Sequence, residues 1–237
     1  MKPGFIERKD YMNNGNGRSI LHTEDLRITQ CFQSANQPAF KPPEPAKDGS
    51  LDRLEAILRL LLQELGLDLD NEHLRETPKR VARFYREFTQ GCAVKPEAIL
   101  KTFKSKSTEL VVVSSIDFYS LCPHHLLVYG GKMHFGYVPS GQIVGVSKIP
   151  RLIHALAARP VVQEDLVADV ADAFMKVVKP VGCAVKAIGK HDCVAVRGVR
   201  CPSTVMTTVA FRGVFREQES LCREFEEAVA EGATCVR

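Results

Sequence analysis

The chain lacks any apolar stretch of membrane-spanning length, which argues against a helical anchor. Its richest run, Leu54 to Leu65, is broken by Glu55, Arg59, Gln63 and Glu64, whereas a spanning helix needs about 20 mostly apolar residues. Met1 to Asp10 lacks the apolar core of a secretory leader. Charge of one sign is also scarce. A net charge of +4 hints at an anionic ligand, but it is too small for a nucleic-acid protein, and no basic run adds to it. No internal repeat is strong enough to use.

What is present is ordinary for a soluble globular protein: 237 residues, 45% hydrophobic and 25% charged. That length suits one well-packed domain with an extension, or two small domains. Eight cysteines, at 31, 92, 122, 183, 193, 201, 222 and 235, are scattered without an export signal. This predicts a reducing, cytoplasmic location and mostly buried or surface thiols. Only Cys122 and Cys193 have histidine company; a disulfide between them is the plainer alternative for that pair.

Residues 1–50 read as a flexible N-terminal extension. Asn13-Asn14-Gly15-Asn16-Gly17 and the proline-rich stretch from Pro38 to Pro45 sustain neither helix nor strand. Leu51, Leu54, Ile57, Leu58, Leu61 and Leu62 form a helical stripe ending near Gly66. A second helix starts at Thr77-Pro78, with Thr77 as its cap and Gly91 closing it; Val81, Phe84 and Phe88 are its apolar face. From Leu110 the pattern turns to strands, first at Val111–Val113 and then in the alternation of Met133, Phe135 and Tyr137. Helices are expected over Lys148–Ala158 and Gln163–Val178, with Pro150 tolerable only within the first turn. Strands follow at Ala184–Ile188, Cys193–Val199 and Thr204–Phe215, then a helix over Glu217–Ala230. The pattern predicts α+β: a mainly antiparallel sheet with helices on one face. A helical pair over 51–91 precedes a core and final helix over 108–232, all within one domain from 51 to 237.

The chemistry concentrates in Cys122-Pro123-His124-His125 and His191-Asp192-Cys193. A Cys-x-x-His pair offers two ligands to one ion, and one distant cysteine supplies a third. Cys183 and Cys201 are also candidates for that third place, but neither has a histidine within two positions. Three protein ligands leave a tetrahedral zinc with an open position for water, whose pKa the ion lowers toward ~7. Such a site suits hydrolysis or addition of water to an electrophilic carbon. His124 diverges from its neighbour His125, so it is better placed as a proton donor than as a ligand. If residues 191–199 are extended, His191, Cys193 and Arg197 share one face.

The basic residues narrow the substrate. Lys148 and Arg151 lie one helical turn apart, as do Arg80 and Arg83, and Ser147 sits where free backbone N–H groups favour anions. With Arg197 these groups suit a triphosphate. Read alone, Arg80 and Arg83 fit a solvated helix face better. Glu164, beside Gln163 at a helix start, either complements the helix dipole or accepts two N–H bonds from a guanine.

In order along the chain, six blocks resemble GTP cyclohydrolase I. They are Glu76-Thr77-Pro78-Lys79-Arg80-Val81-Ala82, Ser120 to His125, Gly145 to Arg151, Arg159 to Glu164, His191 to Val199, and Gly213-Val214-Phe215. The resemblance runs from about Leu51 to the last helix. It implies the T-fold (tunnelling fold): an antiparallel sheet with two helices on one face, after an N-terminal helical pair. It implies one Zn2+ per subunit on Cys122, His125 and Cys193. His124 and His191 then serve as acid–base residues and Ser147 as a hydroxyl for later steps. Gln163 and Glu164 recognise guanine, while Lys148, Arg151 and Arg197 bind triphosphate together with Arg80 and Arg83 from a neighbouring subunit.

The implied reaction takes GTP and water to 7,8-dihydroneopterin triphosphate and formate, the first step toward folate or tetrahydrobiopterin. The implied assembly is a homodecamer with active sites between subunits, without nucleic-acid or membrane partners. Two positions depart from the family pattern. Pro123 stands where many members have Glu, and Pro150 falls inside the Ser147–Arg151 block. A regulatory guanine-nucleotide-binding paralogue without activity, or a T-fold enzyme of another purine or pterin, are the competing readings.

Overall fold

A computed structural model describes residues 49–234. The extension expected at 1–50 lies almost wholly outside that range, as do Cys31 and Cys235. The described chain runs α1 (Gly49–Glu64), α2 (Thr77–Glu87), a 3-10 turn (Gln90–Ala93), α3 (Pro96–Ile99), β1 (Thr102–Lys104), β2 (Val111–Leu121), β3 (Val128–Val138) and β4 (Gln142–Val144). It continues through α4 (Lys148–Ala157), α5 (Gln163–Val178), β5 (Gly182–His191), α6 (Asp192–Ala195), β6 (Met206–Gly213), a 3-10 turn (Val214–Arg216) and α7 (Glu219–Thr234).

The main sheet is antiparallel, in the order β2-β3-β5-β6, and β1 pairs with β4 in a small separate ribbon. Alternation along β3 puts Met133, Phe135 and Tyr137 on one face, opposite Ala187, Val185 and Cys183 of β5. These residues are buried with Ile149, Leu152 and Ile153 of α4 and Leu166, Val170 and Phe174 of α5. The two helices between β3 and β5 therefore cover one face, as the pattern predicts. On the other face Phe225 and Val229 of α7 pack with Ala184 and Phe215. A Cβ on Gly136 would come within 2.7 Å of the Phe225 ring, so the helix approaches the sheet where a side chain is missing.

Several boundaries differ from expectation for identifiable reasons. The strand expected at Cys193–Val199 is instead α6 followed by a turn with Gly198 and Arg200 at positive φ. β5 is paired with β3 down to Tyr129↔His191, and β3 itself begins at Val128. Beyond His191 the ladder has run out of partner. The second helix ends at Glu87 rather than at Gly91. Gly91 instead donates its N–H to Ala158 O at 2.8 Å, and a Cβ there would lie 2.1 Å from Ala155 O. Its role is close approach to α4. Glu76, not Thr77, is the N-cap, and the Thr77 hydroxyl donates back to His73 O at 3.4 Å. In α1, Leu58 is buried, but Ile57 and Leu61 of the expected stripe are about half exposed, at 49% and 51%.

One buried polar group ties the α7 face together. β2 bulges between Val113 and Ile116, with Ser115 at φ 59°, and the Ser115 N–H donates to His134 Nδ1 at 3.2 Å. Burial holds His134 below the ordinary histidine value. Lys186 and Lys132 act the same way, against Glu226. With its folded pKa depressed below ~6.5, His134 contributes stability that is complete above that value and is lost as pH falls toward the folded pKa. We expect His134→Asn, which keeps an acceptor for Ser115, to flatten the melting temperature–pH curve below pH ~6.5. An unchanged slope would place the dependence elsewhere.

Candidate functional site

The first cluster sits in the loop joining β2 to β3. Leu121 is still paired with Val128, so Cys122 begins a turn that must return within a few residues. The turn is closed by its own backbone: Cys122 N–H donates to Leu127 O and Leu126 N–H to Cys122 O, both at 2.8 Å. Leu126 adopts φ 53°, a left-handed conformation that non-glycine residues hold at a cost of roughly 1–3 kcal/mol. Cys122 is buried, while His124 and His125 are exposed.

Cys122 Sγ lies 3.7 Å from His125 Nδ1 and 3.8 Å from His124 Nδ1. The two imidazoles diverge, with ring planes 68° apart and centroids 6.2 Å apart. Cys193, on α6, completes a group in which the donor atoms of Cys122, His125 and Cys193 all fall within 4.8 Å of one another. Both cysteines are free thiols. Cys183 is buried in the core, where its S–H donates to Ala171 O, and burial pushes it up to about 12. Cys201 is exposed.

Two thiols and an imidazole match the soft donors that zinc takes. Bonds of ~2.3 Å to sulfur and ~2.0 Å to nitrogen in a tetrahedron separate donors by roughly 3.5–3.8 Å. The Cys122–His125 spacing already meets that requirement. Burial raises the Cys193 thiol above its usual value, as does the adjacent Cys122, while Arg197 works in the opposite direction. Arg197 is thus near the cluster, although it does not share a strand face with Cys193 as expected.

The second wall is built by the segment before α5. Leu121 forms a parallel bridge with Pro160 and accepts the Val161 N–H at 3.1 Å. The Ser120 hydroxyl donates to Arg159 O and the Tyr129 hydroxyl to Val161 O, each at 2.9 Å. Arg159 is itself anchored to Leu156 O and to the Asp169 carboxylate. These bonds fasten residues 159–161 to β2 and β3 on either side of the Cys122 turn, and α5 starts just after them.

Gln163 and Glu164 open α5 but face different surroundings. Glu164 is exposed; Gln163 is fully buried. The Gln163 amide lies within 3.0 Å of His191 Nε2 through Oε1. Its Nε2 faces Thr208 Oγ1 at 3.0 Å, Met206 O at 3.1 Å and Ala187 O at 3.4 Å. His191 also stacks on Tyr129, with centroids 4.5 Å apart and planes 3° from parallel. Burial holds His191 below its usual value, against the raising influence of Glu164 and Asp192. Tyr129 and Thr208 are supports that the sequence reading missed; only the strand register brings them here.

The cationic residues lie on nearby elements. Ser147 is the N-cap of α4 and makes no side-chain capping bond. Lys148 is half-buried and Arg151 exposed on the first turn of the same helix; Arg80 and Arg83 are exposed on α2. Among the described residues, none of Arg80, Arg83, Lys148, Arg151 and Arg197 is paired with a carboxylate within 4.0 Å. The structure brings Cys122, His124, His125 and Cys193 into one cluster and His191 and Gln163 into direct contact with each other, and leaves Arg80, Arg83, Arg151, Arg197 and Glu164 exposed.

The family model described as GTP cyclohydrolase I matches residues 54–230. A GTP cyclohydrolase 1 from Clostridium perfringens is 39% identical over 171 residues, covering 72% of this chain and 92% of that protein. One from Mycobacterium tuberculosis is 46% identical over 167 residues, covering 69% of this chain and 83% of its own. Among solved structures, an archaeosine synthase QueF-Like in the apo form aligns with 46% of this chain and 97% of its own, at 20% identity and a TM-score of 0.38.

Proposed function

Because the chain belongs to the GTP cyclohydrolase I family, we propose that it converts GTP and water into 7,8-dihydroneopterin triphosphate and formate at a zinc centre. The observation that carries this reading is the convergence of Cys122 and His125, from the β2–β3 turn, with Cys193 of α6, and with His124 beside them. One zinc ion per chain would be held by those three residues and, when bound, supplies Lewis acidity and a water with a pKa near ~7.

The chain's own residues do the rest. His124 is exposed and lies outside the three-donor group, so it is free to protonate the guanine imidazole as that ring opens. His191 is the second acid–base group, for deformylation and the sugar rearrangement, and the Ser147 hydroxyl assists the later steps. The Glu164 carboxylate accepts from N1–H and the exocyclic amine of guanine. Lys148, Arg151 and Arg197 hold the triphosphate, joined by Arg80 and Arg83 from a neighbouring subunit.

The assembly proposed is the family's decamer. Ile57, Leu60 and Leu61 of α1, with Leu65 just beyond it, are exposed apolar residues, and β2 and β6 are the outer strands of the sheet; both features favour burial against other copies. No described helix is long and apolar enough to cross a membrane; we place the enzyme in the cytoplasm, at the head of pterin biosynthesis.

Incubating metal-analysed protein with GTP tests the reaction, with formate and the pterin followed separately. Stoichiometric release of both is expected; no formate from zinc-replete protein overturns the reading. Glu164→Ala should raise KM for GTP by about 10²-fold, the loss of two charge-assisted hydrogen bonds, with zinc content unchanged. An unaltered KM removes Glu164 from guanine recognition.

A further inference from the structure

We propose that Gln163 is a positioning residue rather than a guanine contact, and that it fixes His191 as the Nε2–H tautomer with the Nδ1 lone pair presented to substrate. This inference rests on the proposed GTP chemistry for its kinetic consequence, but not for its geometry.

The surroundings of the Gln163 amide fix its orientation. Its nitrogen faces Met206 O, Ala187 O and Thr208 Oγ1. Two of these are backbone carbonyls, which accept hydrogen bonds and never donate them. The NH2 end must therefore point toward β5 and β6, and its two hydrogens are both engaged there. Flipping the amide would set an oxygen against two carbonyl oxygens in a fully buried position. The orientation is fixed by the acceptors.

With the nitrogen placed, Oε1 is the atom 3.0 Å from His191 Nε2. An amide oxygen only accepts, so Nε2 must carry a hydrogen. A neutral imidazole has one N–H, which leaves Nδ1 with its lone pair. The stacked Tyr129 ring restrains the imidazole plane, and the Tyr129 hydroxyl is itself tied to Val161 O. Plane and tautomer of His191 are thus set by two separate contacts, the Tyr129 ring and Gln163 Oε1. Gly189 keeps the arrangement possible, because a Cβ there would lie 2.4 Å from Gln163 Oε1.

A neutral partner differs from the carboxylate that often backs a histidine. Gln163 orients the ring without adding a negative charge behind it. It also has no N–H left over for a purine, whereas Glu164, one residue on, is exposed.

Neutron diffraction of the zinc-loaded enzyme exchanged into D2O tests the geometry directly. Deuterium is expected on His191 Nε2 and not on Nδ1; the reverse overturns the proposal. Gln163→Met supplies the kinetic test. It should lower kcat roughly 10–100-fold through misorientation of His191, leave KM for GTP within about threefold, and keep zinc bound. A raised KM with kcat preserved returns Gln163 to guanine recognition. A His191 tautomer and kcat that both survive Gln163→Met reduce its role to packing and overturn the proposal. If the wild-type enzyme does not turn over GTP, the reaction assignment fails, while the neutron map still decides the tautomer.

Discussion

Replacing His124 by alanine should leave about one zinc bound per chain while slowing formate release by roughly 10²–10⁴-fold, the usual worth of a positioned proton donor. The structure separates the two adjacent histidines only narrowly. Both approach Cys122 Sγ within 4 Å, but the three-donor group closes through His125 and Cys193. The exposed position of His124 also means that its removal should leave stability within about 0.5 kcal/mol. Zinc analysis beside single-turnover formate release checks the assignment. Loss of the metal would make His124 a ligand and leave the ring-opening proton without a donor.

The second large effect concerns Cys193, the proposed third ligand. Cys193→Ala should abolish turnover and weaken zinc binding by more than about 10²-fold, since losing even an outer-shell support costs 10–100-fold. Cys193 sits on the four-residue α6 at the margin of the core, so circular dichroism and the melting transition should change little. Cys183→Ala and Cys201→Ala provide the contrast and should keep zinc. Cys183 is committed to Ala171 O inside the core, and Cys201 is exposed outside the donor group. Retention of metal by Cys193→Ala would send the search back to those two thiols.

How much of this was readable beforehand depended on the range of the interaction. Cys122 and His125 are three residues apart in one tight turn, so local spacing was enough to pair them. The alternation of Met133, Phe135 and Tyr137 likewise announced a half-buried strand, because its period is set by the strand's own geometry. Cys193 was reached through its neighbouring His191, but its backbone was misread as extended. Where β5 stops is decided by where β3 starts, some sixty residues earlier, and residues 192–199 carry no local signal of that limit. The Tyr129–His191 stack is illegible for the same reason, since it needs the β3–β5 register. Gly91 shows a different failure. A glycine after a helix suggests a stop, yet this one is required by contact with Ala155 and Ala158 of a later segment. The apolar stripe of α1 was visible in sequence, but no single chain says which of its leucines are covered within the subunit.

The left-handed Leu126 and the two short hydrogen bonds around it carry a consequence for how the protein is loaded. In domains where zinc creates the fold, metal and structure arrive and leave together. Here the turn from Cys122 to Leu127 is clamped by its own amides and by strands on both sides, so its shape is inherited from the sheet. Chelation should therefore yield an inactive but folded chain that regains function when metal returns, without a refolding delay. On the proposed zinc reading, a cell starved of the metal would hold this protein as a dormant stock, awaiting supply rather than resynthesis.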